Sequence, residues 1–124
     1  KTDMGWEIFP EGLTHVINKF TENYSKSIPI YITENGMAHN DKIKQGIIND
    51  QERISFYKRH LKEIMNLLKG GVLLKGFFAW SLLDNFEWAF GYSKRFGLIY
   101  VDFKTQKRIP KNSWLEFKKN LKNN

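Results

Sequence analysis

The chain contains no cysteine. That excludes disulfide scaffolds, thiol nucleophiles and cysteine-type zinc sites. It also fits a reducing compartment, so a cytoplasmic location is expected. No apolar run approaches the ~18 residues of a membrane span, and no apolar segment follows residues 1–6 as a signal peptide requires. No membrane partner is expected. Zinc-finger, nucleotide-loop and RNA-binding signatures are missing, as are internal repeats and low-complexity tracts. His15, His39 and His60 do not stand at metal-ligand spacing and read as structural or surface residues, so neither a metal nor a cofactor is expected. At 124 residues the chain is too short for a complete (β/α)8 barrel, which needs roughly 250. It suits one small domain or one piece of a larger one.

What is present is ordinary globular composition, 41% hydrophobic and 27% charged, rather than that of a disordered chain. The net charge of +7 raises the question of nucleic acid. The basic residues are spread out, however. Lys58, Arg59 and Lys62 share a helical stretch with Glu52 and Glu63, while Arg95, Lys104, Lys107 and Arg108 flank an expected hairpin. They read as a solvated surface, and no nucleic-acid partner is expected.

Pro10 and Glu11 open a helical pattern in which Leu13, Val16, Ile17, Phe20 and Tyr24 recur at three- and four-residue spacing. After a break at Ser25 to Ser27, the apolar run Ile28-Pro29-Ile30-Tyr31-Ile32-Thr33 predicts a buried strand, with Glu34-Asn35-Gly36 as a polar turn. A second helix is expected after Asn49-Asp50, where Asn49 and Glu52 have capping-pair spacing. Ile54, Tyr57, Leu61, Ile64, Met65 and Leu68 form its apolar stripe, and Gly70-Gly71 ends it. Residues 73–80 read as another buried strand in which Gly76 allows close backbone approach. Residues 96–103, followed by Lys104-Thr105-Gln106, suggest a hairpin or an extended excursion. Pro110 precedes a last helix with Trp114, Phe117 and Leu121 on one side, and residues 120–124 read as a frayed polar tail. The alternation of helix and strand argues for parallel βα units. Two such strands leave both outer edges unpaired, so the chain reads as part of an α/β protein.

Two stretches could carry chemistry. Glu34 stands where an apolar strand ends. In a (β/α)8 barrel that is where working residues project, and a carboxylate there can be nucleophile, general base or electrostatic stabiliser. From position alone, a turn residue that caps or salt-bridges in water is the more ordinary reading. The second stretch, Trp80-Ser81-Leu82-Leu83-Asp84-Asn85-Phe86-Glu87-Trp88, also follows a strand. Indole faces stack on the C–H faces of sugars, and carboxylates and indole N–H groups bond their hydroxyls. Otherwise Trp80 and Trp88 fill a core and Asp84-Asn85 makes a turn. Two strand ends carrying carboxylates and aromatics fit one shared pocket.

At these residues the sequence resembles a known family. Ile30-Tyr31-Ile32-Thr33-Glu34-Asn35-Gly36 is similar to the nucleophile signature of glycoside hydrolase family 1, the β-glucosidase family. Residues 78–88, with Gly91-Tyr92-Ser93-Lys94-Arg95-Phe96-Gly97-Leu98-Ile99-Tyr100-Val101-Asp102, resemble that family's last barrel strand and the loop after it. Residues 4–13 resemble the stretch before its sixth helix, and residues 108–113 its run into the eighth. The resemblance covers residues 1–124 and implies an α/β fold, the C-terminal part of a (β/α)8 barrel from about helix 6 to helix 8, incomplete on its own.

By the same resemblance Glu34 is the catalytic nucleophile of a retaining β-glycosidase. Trp80 lies against the sugar being cleaved, Glu87 and Trp88 bond its outer hydroxyls, and Phe96 stands near the pocket wall. The phospho-β-glycosidase branch replaces the Glu-Trp pair with smaller residues, including a phosphate-receiving serine. Glu87 would repel a phosphate, so an unphosphorylated β-glycoside is the expected partner. The family's acid/base glutamate lies in an Asn-Glu-Pro motif, and this sequence has none. The chain alone is therefore expected to be inactive and to need the missing N-terminal part of the barrel. A non-catalytic carbohydrate-binding or pseudoenzyme piece is the alternative.

Overall fold

The computed structural model describes residues 1–122. The chain runs α1 (Pro10–Asn23), β1 (Ile30–Asn35), β2 (Ile43–Lys44), β3 (Ile47–Ile48), α2 (Gln51–Lys69), β4 (Leu74–Ala79), a 3-10 turn (Trp88–Phe90), β5 (Ile99–Val101), β6 (Arg108–Pro110) and α3 (Asn112–Lys122). Residues 120–122 are thus helical rather than tail, and Asn123 and Asn124 lie outside the described residues.

Strands β1 and β4 pair in parallel, with Ile30 opposite Leu74 and Asn35 opposite Ala79, and α2 lies in the crossover between them. This is the expected βα arrangement. Ile17 of α1, Ile32 of β1, and Ile64 and Leu67 of α2 form one buried cluster, against which Leu13, Leu61, Leu74 and Phe77 pack. A second cluster joins Met37, Phe56, Tyr57 and Leu98, with Trp114 and Phe117 of α3 against it.

Several expectations are corrected. The strands are not buried on both faces: Tyr31 and Phe78 remain 55% and 57% exposed on the sheet's open side. Glu34 and Asn35 belong to the end of β1 rather than to a turn, and Pro29 precedes the strand. Asn49 does not cap α2. Asp50 is the residue before the helix, and the Asn49 side-chain oxygen instead accepts from Gln51 and Asn112. The buried side of α2 is Arg53, Phe56, Tyr57, His60, Ile64 and Leu67, while Met65 and Leu68 face outward. Its apolar period is masked by two basic residues. Gly76 accommodates a ring rather than backbone, because a β-carbon there would lie 2.6 Å from the Tyr31 side chain. The β2–β3 hairpin has no counterpart among the expected elements. Its two-residue turn, Gln45-Gly46, has φ of 51° and 77°, the left-handed pair that a tight hairpin demands. The later hairpin pairs β5 with β6 in antiparallel fashion, and its second strand, Arg108–Pro110, lies beyond the stretch in which the hairpin was expected.

Buried charges fix the segments around the sheet's carboxyl end. The Lys111 ammonium, fully buried at the start of α3, donates to Asp41 at 2.5 Å and to Asp84 at 2.8 Å. Arg53 grips Asp41 through two bonds of 3.1 and 2.9 Å, pairs with Asp50, and donates to the Arg95 carbonyl at 2.8 Å. Arg95 donates to Asp84 at 2.5 Å, so it is not the solvated hairpin residue expected. Asp50 accepts from the Ser113 amide and hydroxyl at 2.9 and 2.6 Å. Burial pulls the Lys111 ammonium below the usual lysine range, and the Arg53 charge adds to that pull. Burial alone would raise the Asp41 carboxyl. The bonds from His39 and Arg53, and the charges of Arg53 and Lys111, instead hold it well below the usual carboxylate range.

Lys111→Met removes the buried cation that Asp41 and Asp84 share and leaves Arg53 and Arg95 as their remaining cationic partners. It is expected to destabilise the fold by about 3–5 kcal/mol, measured by urea unfolding of the protein joined to the remaining barrel segment. His39 bridges Asp41 at 2.9 Å and Glu52 at 3.1 Å. The hydrogen bond to Asp41 raises its pKa above the ordinary 6.5, and burial opposes only part of that rise. A raised pKa means the contribution is complete below the unfolded value and fades as pH climbs through the folded one. The midpoint of the same unfolding should therefore decline as pH rises above about 6, by a component that His39→Gln abolishes.

Candidate functional site

Parallel pairing places the carboxyl ends of β1 and β4 side by side. The Trp80 amide continues the ladder, donating to the Asn35 carbonyl at 2.9 Å. The chain from Asn35 turns at Gly36, where a β-carbon would stand 2.0 Å from the Trp80 carbonyl oxygen. Only glycine lets the two strand exits approach this closely. The same carbonyl accepts from the Tyr57 hydroxyl at 3.3 Å. Burial pushes the Tyr57 hydroxyl's pKa upward, keeping it a donor. Trp80 is thus set by β1, β4 and α2 together.

The segment after Trp80 folds back through backbone bonds from Leu98 to Ser81 (2.9 Å), Ile99 to Leu82 (2.8 Å) and Asp84 to Ile99 (3.1 Å). Asp84 is buried and accepts from the Gly97 amide at 3.0 Å. Gly97 lies so near the backbone of Leu83 and Asp84 that a β-carbon would clash at 2.2 to 2.3 Å. Beyond Asp84, the Asn85 amide donates to the Glu87 carboxylate at 3.1 Å. The Glu87 N–H is tied to the Gly91 carbonyl at 2.7 Å. Trp88 has φ of 41°, left-handed backbone that a bulky residue adopts only under constraint. Its side chain is 85% exposed.

These segments enclose an open cleft of about 400 Å³ lined by Trp6, Glu34, Asn35, Gly36, Trp80, Glu87, Trp88 and Phe96. Every residue proposed from sequence — Glu34, Trp80, Glu87, Trp88 and Phe96 — borders it. Phe96 is only 2% exposed, so it backs the wall rather than standing out from it. Its ring lies 6.1 Å from that of Trp6. Trp6, Asn35 and Gly36 were not foreseen as lining. Trp6 sits in an irregular segment with no periodic signal, whereas Asn35 and Gly36 adjoin Glu34 and follow from the strand exit. No hydrogen bond or ion pair engages the Glu34 carboxylate among the described residues. The described residues include no group of three or more His, Asp or Glu able to hold a metal, and no helix long and apolar enough to cross a membrane.

The end of β1, the end of β4 and the loop that follows it thus present the carboxylates of Glu34 and Glu87 and the indoles of Trp80 and Trp88 to one open cleft. The sequence model of Glycosyl hydrolase family 1 matches residues 1–124, and the chain belongs to that family. It is 51% identical to Beta-glucosidase A of Thermotoga maritima, covering 100% of this chain and 28% of that protein. It is 44% identical to a 6-phospho-beta-galactosidase of Leptotrichia buccalis, covering 96% of this chain and 26% of that one. The structure superposes on the Thermotoga maritima family 1 β-glucosidase in complex with isofagomine lactam, with a TM-score of 0.96 and 51% identity over 99% of this chain and 28% of that chain. The chain thus spans little more than a quarter of the length of these relatives, and its fold is that of a partial barrel.

The Gly36–Trp80 contact is testable. Gly36→Ala must push the Trp80 carbonyl away, breaking its bond to Tyr57. It is expected to lower the thermal midpoint and shift the tryptophan emission maximum of the assembled barrel. Tyr57→Phe, which removes the same bond without a clash, should produce a smaller shift in the same direction.

Proposed function

We propose that this chain supplies helix 6 to helix 8 of a retaining β-glycosidase barrel, with Glu34 as its nucleophile. The observation that carries the reading is convergence: Glu34 from β1, Trp80 at the end of β4, Glu87 and Trp88 from the following loop, and Phe96 before β5 all border one cleft. Glu34 attacks the anomeric carbon of a terminal β-linked sugar and forms a glycosyl-enzyme, which water then hydrolyses. The Trp80 indole stacks on the sugar's C–H face, and Glu87 accepts hydrogen bonds from its outer hydroxyls.

Retention requires a second carboxyl roughly 5–5.5 Å from the nucleophile to protonate the leaving oxygen. That group comes from the portion of the barrel outside this sequence, since no Asn-Glu-Pro occurs here. By itself the chain is inactive. The exposed apolar side chains Tyr31, Phe78 and Val16 are consistent with surfaces the remaining barrel covers. One relative bears the name of a phospho-glycosidase, but Glu87 in the cleft opposes a phosphate, so the sugar is unphosphorylated.

The test is a chimera in which this chain replaces the corresponding segment of the Thermotoga maritima enzyme. It should hydrolyse an aryl β-glucoside in preference to the 6-phosphorylated analogue. Glu34→Gln should cost at least about 10⁴-fold in kcat, and a fluorinated glycoside inactivator should label Glu34. Label on another residue, or turnover unimpaired in Glu34→Gln, would refute the assignment.

A further inference from the structure

We infer that Asn85 is a positioning residue for Glu87, fixing which carboxylate oxygen faces the sugar. The inference rests on the reading of Glu87 as the acceptor for sugar hydroxyls. One amide proton of Asn85 lies on Glu87 Oε2 at 3.1 Å, and the other on the Phe86 carbonyl at 3.1 Å. The Asn85 oxygen stands 3.3 Å from the Ser81 hydroxyl, which also donates to the Leu83 carbonyl at 2.6 Å. All three polar contacts of the Asn85 side chain thus fall inside residues 81–87, and Ser81 directly follows Trp80. The amide therefore links Ser81, the residue after Trp80, to the Glu87 carboxylate.

The chemistry selects an amide. A carboxylate needs donors, and asparagine supplies them without charge. Aspartate at the same place would set a second anion against Glu87. Glutamate is long and rotatable, and ordering it when substrate arrives costs entropy. A donor already seated on Oε2 orders it beforehand and leaves Oε1 free to accept from the sugar. The neighbouring Asp84 has no such freedom, because Gly97, Lys111 and Arg95 occupy it. Adjacent residues of similar shape thus serve different ends, one holding the loop and the other aiming a side chain.

The experiment uses the chimeric barrel with aryl β-glucoside and its 4-deoxy and 6-deoxy analogues. The parent should favour the glucoside. Asn85→Ala and Asn85→Ser should raise KM for the glucoside about tenfold, leave KM for the deoxy analogues within about twofold, and change kcat far less. Asn85→Asp should raise KM for the glucoside further. Equal losses on all three substrates, unchanged discrimination, or loss of the folded state in both the Ala and Ser variants would each overturn the role. Glu87→Ala separates the two readings. If it leaves discrimination intact, the assignment of Glu87 itself fails. If it abolishes discrimination while Asn85→Ala and Asn85→Ser do not, only the role of Asn85 fails.

Discussion

Five charged side chains taken out of water, joined by the partly exposed Arg95, govern this structure. Asp41 follows β1, Asp50 and Arg53 open α2, Asp84 follows β4, Arg95 leads toward β5 and Lys111 precedes α3. An isolated ion in a protein interior costs several kcal/mol. Here three acids face three bases, and each carboxylate takes at least two donors. The balance makes the arrangement cooperative, because displacing any one segment leaves a charge stranded in another. The connecting segments have few ladder bonds of their own. Their course is therefore set by charge matching more than by strand pairing.

The cleft inherits its geometry from this arrangement at short range. Glu87 stands three residues beyond Asp84, and Phe96 follows Arg95 directly. Trp80 is held differently, by the Asn35 carbonyl on its amide and by Tyr57 and Gly36 around its carbonyl. One wall is therefore fixed by ions and the other by the parallel ladder. The left-handed Trp88 backbone stands between Glu87, bonded to Gly91, and the turn that Gly91 closes. Strain of this kind persists only where flanking contacts over-determine the chain.

The sequence discloses whatever is local and periodic. Pro10 and Gly70-Gly71 mark true helix boundaries, the apolar runs mark both parallel strands, and the strand-end motifs mark the cleft. Interactions across long separations leave no local trace. Lys111 reaches Asp41 across 70 positions, and lysine and arginine read by default as surface residues. For the same reason the buried face of α2 is obscured, since Arg53 and His60 interrupt the apolar period. The β2–β3 hairpin turns on Gln45-Gly46, which lacks the Asn-Gly or Asp-Gly pair that announces such turns. Tyr31 and Phe78 show the converse, apolar residues in a strand pattern that nevertheless remain uncovered.

Those two exposed rings separate stability from site geometry. The charges close on themselves within this chain, and the cleft's five sequence-predicted residues converge without help from elsewhere. The sheet's open face does not close. Tyr31 and Phe78 present large apolar rings there, and covering a side chain of that size contributes about 1.5–3 kcal/mol. On the proposed reading, the remainder of the barrel therefore has two distinct duties. It covers the open face, which concerns folding, and it brings an acid to the cleft, which concerns chemistry. A partner that did only the first would yield a well-ordered protein able to hold a sugar against Trp80 and Glu87 but unable to release its aglycone. The separation follows from where the charges lie: they hold the sheet's carboxyl end, where the sugar would sit, and leave its open face to whatever packs against it.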